Sequence, residues 1–199
     1  PESVRTRLGH ADIRSAFESI HRPHSIAEAM KAQDRFRFEE AFVVQTVFAQ
    51  RRLAAENDRA KHRPLVAGGL RERFEKQLPF ELTAGQHEVI GEISGDLDRP
   101  HPMHRLLQGE VGSGKTIVAL LAMLQVVDSG GQAALLAPTE VLASQHYRAI
   151  SALLGDLAKA GMIGGADGAT RVRLLTGSMG AKSRNESLLD AASGEAGIV

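Results

Sequence analysis

The pattern of apolar and polar positions divides the chain into two parts. In residues 1–78 apolar side chains recur at helical spacing, and no run alternates as a half-buried strand does. In residues 79–199 strand-like and helix-like runs follow one another, which is typical of a parallel sheet flanked by helices. The predicted fold class is therefore α/β, with an all-helical segment in front.

Capping signals place the helices of the first part. Asp12 can cap a short helix that Pro23 ends. The sequence from Ser25 to Glu28 is a capping box, which opens a long helix through about Arg59. The apolar positions of this helix predict a face that packs on a partner, and they are Phe38, Phe42, Val47 and Leu53. A glycine pair at 68–69 precedes a further short amphipathic helix, and the simplest role of the whole segment is that of a scaffold.

The second part is predicted to alternate between strands and helices. The predicted strands are a short strand that ends at Arg105–Gln108, and the strands Gln132–Ala137 and Arg171–Leu175. The predicted helices are Ala84–Leu97, Ile117–Val127, a helix after Thr139 and Ala181–Ala192. Residues 155–170 contain five glycines and no periodicity, so we expect a mobile surface excursion there. Residues 197–199 look like the opening of a further strand.

Eight consecutive residues carry the most specific chemistry. Gly109-Glu110-Val111-Gly112-Ser113-Gly114-Lys115-Thr116 fit the phosphate-binding pattern G-x-x-x-x-G-K-[ST] without a gap. They stand between a predicted strand and an apolar helix, where backbone N–H groups and the helix dipole can hold an anion. In this pattern Lys115 reaches the β and γ phosphates, and the Thr116 hydroxyl binds Mg²⁺. The sequence predicts a site for a nucleoside triphosphate.

Composition narrows the class of protein. With 43% hydrophobic and 24% charged residues in 199, the chain is typical of a globular domain, and the absence of cysteine suggests a reducing compartment, which we take to be the cytoplasm. His101 and His104 lack a third residue spaced to complete a metal site. Net charge is zero, but Lys and Arg outnumber Asp and Glu in residues 1–80, whereas Asp and Glu outnumber Lys and Arg in residues 81–199. The basic residues Arg51, Arg52, Arg59, Lys61 and Arg63 either grip nucleic-acid phosphates or form a solvated helix face.

Thr83 and Gln86 admit two interpretations, which are compatible with each other. Their spacing is that of a capping box at the start of a helix. Phe80 followed by Gln86 just ahead of the phosphate loop also suits adenine recognition, because the glutamine amide offers both a donor and an acceptor.

Two loops follow predicted strands at the edge where open α/β sheets bind ligands. One is Pro138-Thr139-Glu140, and the other is Thr176-Gly177-Ser178. Each can be a helix cap with no ligand, or its hydroxyl and N–H groups can bind a nucleic-acid phosphate. Two such loops beside a nucleotide site strengthen the second interpretation.

Several ordered stretches resemble the RecG family of ATP-dependent DNA helicases. They are Leu78–Gln86, Asp96-Leu97, Pro102-Met103, Arg105–Thr116, Ala137–Ala143, Gln145-His146 and Leu174–Ser178. The resemblance covers about residues 78–180, and residues 13–60 resemble the helical linker of that family more loosely. The family remodels stalled replication forks and branch-migrates Holliday junctions, so the resemblance implies ATP, Mg²⁺ and branched DNA, and a contact with single-stranded-DNA-binding protein.

The resemblance also implies roles for individual residues. Gln86 is similar to the adenine-reading glutamine of superfamily 2 helicases, and residues 109–116 to motif I. Residues 138–140 resemble motif Ia and residues 176–178 motif Ib, both of which face the DNA backbone. Glu110 stands where an Asp is more usual, and the excursion at 155–170 is longer than usual.

We expect the chain to be a fragment: a helical linker, residues 1–78, and most of the first RecA-like lobe, residues 79–199. The resemblance implies a wedge domain before Pro1, and an Asp-Glu box, a second lobe and an arginine finger after Val199. On that basis residues 1–199 alone are expected to bind nucleotide weakly and not to hydrolyse it. The alternatives are a nucleotide-dependent switch or assembly module without motor activity, or another superfamily 2 repair translocase.

Overall fold

A computed structural model describes residues 1–199, apart from the side chain of Glu56. The chain forms two compact units, Pro1–Asp58 and Arg59–Val199. Residues 59–78 thus pack with the second unit, although the sequence-based division lies between residues 78 and 79. The division of the chain into a linker and a lobe between residues 78 and 79 stays a prediction.

The first unit consists of three helices. They are α1 (Glu2–Arg7), α2 (Ile13–His21) and α3 (Ile26–Glu56). Ala16 and Ala32 are buried between α2 and α3, where small side chains let the helices approach closely. The rings of Phe17 and Phe36 lie 4.8 Å apart beside this contact.

The predicted caps of this unit are present, with one difference. Asp12 accepts a hydrogen bond from the N–H of Ser15 (3.1 Å), and Ser25 accepts one from the N–H of Glu28 (3.2 Å). The Glu28 carboxylate does not return to Ser25, as a full capping box requires. It accepts instead from the Ser19 hydroxyl (2.7 Å) and the His24 N–H (2.8 Å), which fastens α2 to the start of α3.

The second unit places its helices close to the predicted positions. They are α4 (Leu70–Gln77), α5 (Ala84–Leu97), α6 (Lys115–Asp128), α7 (Glu140–Leu154) and α8 (Ala181–Ser193), with a short 3₁₀ helix at Gly155–Ala158. In the part of the chain that the structure describes, no helix is both long enough and apolar enough to cross a membrane.

Helix α6 forms the centre of the core. Leu120, Leu121 and Leu124 are fully buried, and α4 and α5 both pack on this helix. Phe74 from α4 and Leu154 from α7 are also fully buried in the same cluster. An almost entirely apolar helix is stable in water only when it is covered in this way.

A small parallel sheet lies next to α6. Strand β1 (Arg171–Val172) pairs in parallel with β2 (Ala196–Ile198), and Ala133 bridges to Ile198 on the other side of β2. The connections run through α7 and α8, as a parallel sheet requires. The α/β fold class is confirmed.

The predicted strands are longer than the regular pairing observed. Of residues 132–137, Ala133 forms a bridge and the Leu135 N–H donates to the carbonyl of Val199 (2.9 Å). The sequence predicts the end of a short strand at residues 105–108, and that prediction is wrong. These residues form no ladder within the described residues, and a strand needs a hydrogen-bonded neighbour to be regular.

The glycine-rich excursion at residues 155–170 is anchored at both ends. The Thr170 N–H donates to the Leu157 carbonyl (2.9 Å), and both residues are buried. Arg73 also donates to the Asp167 carbonyl (2.5 Å). Ile163 at the tip of this segment is fully exposed. The prediction of a surface excursion therefore fits the tip, whereas the base of the segment is buried.

An ion-pair cluster joins α8 to β1. The Asp190 carboxylate accepts from Arg173 Nε (2.5 Å) and lies 3.1 Å from Arg171 Nη1. The hydrogen bond from Arg173 is the main cause that lowers the pKa of Asp190 below its ordinary 3.8, and the bond from Arg171 adds to it. This carboxylate therefore stabilises the folded chain in its ionised form.

We expect Asp190→Asn to lower the free energy of unfolding at pH 7. A lowered pKa in the folded state gives stability above the unfolded pKa, and that stability disappears as the pH falls through the folded value. The difference between the variant and the unaltered chain should shrink below pH 3.8 in urea titrations. Asp156→Asn, which breaks an exposed pair with Lys159, is the control and should change little. A pH-independent loss in Asp190→Asn would contradict this role.

Candidate nucleotide site and nucleic-acid interface

The loop at residues 109–114 turns sharply into α6. Gly112 and Gly114 have φ of 85° and 84°, which non-glycine residues rarely adopt. The Ser113 N–H donates to the Glu110 carbonyl (3.2 Å) and closes the turn. Val111 and Glu110 are exposed at its tip.

The N-terminus of α6 has no side-chain cap among the described residues, since its N-cap position is Gly114. By contrast Thr83 caps α5 and Thr139 caps α7. The first N–H groups of a helix lack partners inside the helix, and an uncapped start leaves them available to an anion. This end of α6 is therefore suited to a phosphate group.

Lys115 is the first residue of α6, and its side chain folds back over the loop. Its Nζ donates to the carbonyls of Gly109 (2.8 Å) and Glu110 (2.7 Å). The ammonium group thus lies within the turn, where a bound phosphate would need its positive charge. It has three donors, so two bonds to the loop leave one for a ligand.

Gln86 lies against the same loop. Its Oε1 accepts from the Thr83 N–H (2.8 Å), while the Thr83 hydroxyl accepts from the Gln86 N–H (3.2 Å). The predicted capping box is therefore present. Gln86 Nε2 also donates to the Ser113 carbonyl (3.0 Å), which joins α5 to the phosphate loop. The adenine-reading role is a separate expectation, which rests on the local pattern of Phe80 and Gln86 and on the resemblance.

Thr116 lies in the first turn of α6 and is partly exposed beside the loop. A hydroxyl is a suitable ligand for Mg²⁺, which keeps several waters and takes few protein ligands when it also binds phosphates. Within the described residues, no group of three or more His, Cys, Asp or Glu residues could hold a metal ion by itself. The residues present fit an ion that arrives with a nucleotide.

The two predicted strand-end loops lie in contact with each other. Glu140, at the start of α7, accepts from the Ser178 N–H (2.9 Å) and the Ser178 hydroxyl (2.5 Å). The hydroxyl bond is the larger cause that lowers the pKa of Glu140 below 4.5, followed by the bond from the Ser178 N–H. Thr139 uses its hydroxyl to cap the N–H of Leu142 (3.3 Å), and Pro138 is exposed beside it.

The remaining residues of the second loop lie at the same edge. The Thr176 N–H donates to Met179 Sδ (3.3 Å), and Gly177 is exposed. Sequence reasoning selected residues 138–140 and 176–178 separately but missed the contact between them. Nothing in their spacing indicates it, because the partners are 38 residues apart.

Comparison with known proteins identifies the family. Residues 83–186 match the model of the DEAD/DEAH box helicases. The chain belongs to the DEAD/DEAH box helicase family. The match begins at the Thr83 cap and includes the phosphate loop and both strand-end loops.

Relatives within this helicase family are similar over all or most of the chain. The ATP-dependent DNA helicase RecG of Mycobacterium tuberculosis is 47% identical over 199 residues, which is 100% of this chain and 27% of the relative. RecG of Thermotoga maritima is 40% identical over 151 residues, 74% of this chain and 19% of the relative. The expected resemblance to RecG is confirmed, and the chain spans about a quarter of the length of the relatives that it matches along its whole length.

A solved structure agrees with this assignment. The structure of RecG bound to a three-way DNA junction matches with a TM-score of 0.82 at 34% identity. The match covers 100% of this chain and 26% of that protein.

The two positive-φ glycines of the loop give a matched pair of variants. A Cβ atom added to Gly114 would overlap Gln86 Nε2, whereas one added to Gly112 would meet nothing within 4 Å. Both alanines cost about 1–2 kcal/mol in the left-handed region. We expect Gly114→Ala to lose more stability than Gly112→Ala in urea titrations, by about 1 kcal/mol, because the Gln86 amide can move aside but must give up its bond to Ser113. The excess should shrink in a Gln86→Ala background, and equal losses would contradict the contact.

Proposed function

We propose that this chain is part of an ATP-dependent DNA helicase and translocase that remodels stalled replication forks and branch-migrates Holliday junctions. In this proposal residues 79–199 are most of the first RecA-like lobe, and residues 1–78 are a helical linker. The similarity over the full 199 residues to proteins named RecG supports it.

The phosphate loop is the observation that carries the proposal. Lys115 Nζ lies between two loop carbonyls at 2.8 and 2.7 Å, and the adjoining N-terminus of α6 has no side-chain cap among the described residues. A positive charge and open N–H groups at one point are what a polyphosphate needs. A loop that only connected two elements would not need either.

Each residue of the nucleotide site has a proposed task. The N–H groups of the loop at residues 109–114 and of the first residues of α6 surround the phosphates. Lys115 neutralises the charge on the β and γ phosphates, and Thr116 supplies a hydroxyl to Mg²⁺. Gln86 reads the adenine edge while its contact with Ser113 joins base recognition to the loop. In the whole protein, transfer of the γ-phosphoryl group of Mg²⁺-bound ATP to water would supply the free energy for movement on DNA.

The strand-end loops are proposed to face the DNA backbone. Residues 138–140 and 176–178 follow parallel segments of one sheet, and parallel segments end at the same edge. N–H and hydroxyl groups at that edge contact phosphates, which fixes position on DNA without reading sequence. Branched DNA is the proposed substrate, and a contact with single-stranded-DNA-binding protein stays a prediction.

A cytoplasmic location belongs to the same proposal. The absence of cysteine, which suits a reducing compartment, supports it. We also propose Mg²⁺ as the metal, because the resemblance implies it and Thr116 suits it.

DNA affinity separates a motor lobe from a nucleotide-dependent switch. We expect residues 1–199 to bind duplex DNA without sequence preference, and we expect the affinity to fall steadily as salt rises, because phosphate contacts release counterions. Fluorescence anisotropy with two unrelated duplexes of equal length, from low to moderate salt, measures this. A chain that binds neither duplex at low salt would be a switch or an assembly module instead.

A further inference from the structure

The contact between Glu140 and Ser178 joins two loops that lie far apart in the sequence. Both donors of Ser178, its N–H and its hydroxyl, end on one carboxylate, at 2.9 and 2.5 Å. Glu140 also approaches the backbone of Gly177 closely, since a Cβ atom added there would lie 3.1 Å from Oε1. The carboxylate therefore fits against the whole turn at 177–178.

The charge of Glu140 argues against a direct contact with DNA. The bonds from Ser178 hold its pKa below the ordinary value, so the group is ionised at neutral pH. A free carboxylate facing a phosphate is repelled by it. A carboxylate already bonded to the neighbouring loop has a different use, which is to fix where that loop lies.

Helix α7 gives this contact a rigid base. Glu140 is the first residue of α7, and the Thr139 cap fixes the helix start through the N–H of Leu142. Ile150 and Leu154 on the same helix are buried in the core. A side chain on such a helix can hold an exposed loop at a set distance from it.

We propose that Glu140 is a positioning residue, which acts through Ser178 to hold the loop at 176–178 beside the loop at 138–140 so that both meet one DNA strand. The inference rests on the proposed function, and it gives Glu140 a different part from the phosphate contact that the resemblance implies. Ser178 is the link in this arrangement, while Thr176 and Gly177 are left to face the backbone of the nucleic acid.

The sign of the effect distinguishes positioning from charge alone. Glu140→Ala removes a negative charge next to DNA, which by itself would strengthen binding. If the carboxylate positions the loop, the same variant weakens DNA binding. We expect the Kd for duplex DNA to rise about tenfold, which corresponds to the loss of one charge-assisted hydrogen bond. Glu186→Ala, at an exposed position on α8, removes the same charge without touching the loop contact and is the matched control.

The experiment measures duplex affinity of residues 1–199 by anisotropy for Glu140→Ala, Ser178→Ala, the double variant and Glu186→Ala. We expect both single variants to weaken binding and the double variant to be no weaker than Glu140→Ala, because the two residues act as one unit. The control should bind as well as or better than the unaltered chain. Equal or tighter binding by Glu140→Ala, or fully additive losses, would overturn the inference.

A second readout does not depend on DNA. The Ser178 amide signal in ¹⁵N–¹H spectra should move in Glu140→Ala and stay in place in Glu186→Ala, since the N–H bonds to the carboxylate. An unmoved signal in a folded variant would overturn the contact itself. Absence of DNA binding by the unaltered chain would instead overturn the proposed function, and the DNA part of this inference with it.

Discussion

The burial of α6 is the constraint on which the rest of the second unit depends. Leu120, Leu121 and Leu124 are fully buried, and each contributes about 1.5–3 kcal/mol of hydrophobic free energy. This burial fixes the axis of the helix and therefore the position of its N-terminus, where the phosphate loop begins. At its other end the Asp128 carboxylate accepts from the N–H groups of Leu70 (2.7 Å) and Arg71 (3.0 Å) at the start of α4.

One polar side chain of α6, that of Gln125, is buried in this core and forms hydrogen bonds to other segments of the second unit. Gln125 Nε2 donates to the carbonyls of Arg63 (2.6 Å) and Ser94 (3.2 Å), and its Oε1 accepts from the guanidinium of Arg71. Burial lowers the pKa of Arg71, which also bonds to the Ser94 hydroxyl (2.6 Å). A buried polar group costs free energy unless it is hydrogen-bonded. The bonds of Gln125 and Arg71 meet this requirement, and they also hold residues 63–71 against α6.

Sequence reasoning predicted local features well and missed contacts across the fold. The Thr83–Gln86 cap and the extent of α5 depend on residues a few positions apart, and both were predicted as observed. The strand expected to end at residues 105–108 is not formed, because regular pairing depends on a neighbour that the local pattern does not specify. The bonds from Gln86 to Ser113 and from Ser178 to Glu140 join positions whose separation follows no period, so only the folded chain reveals them.

The central claim is that the loop before α6 binds a polyphosphate, and an NMR titration tests it most directly. With ATP and Mg²⁺ added to the ¹⁵N-labelled chain, the amide signals of Gly112, Ser113, Gly114 and Lys115 should move together and saturate. Lys115→Ala should raise the Kd obtained from this titration about tenfold or more, because it removes a charged hydrogen-bond donor. If these signals stay in place in a well-folded sample of the unaltered chain, the account is wrong.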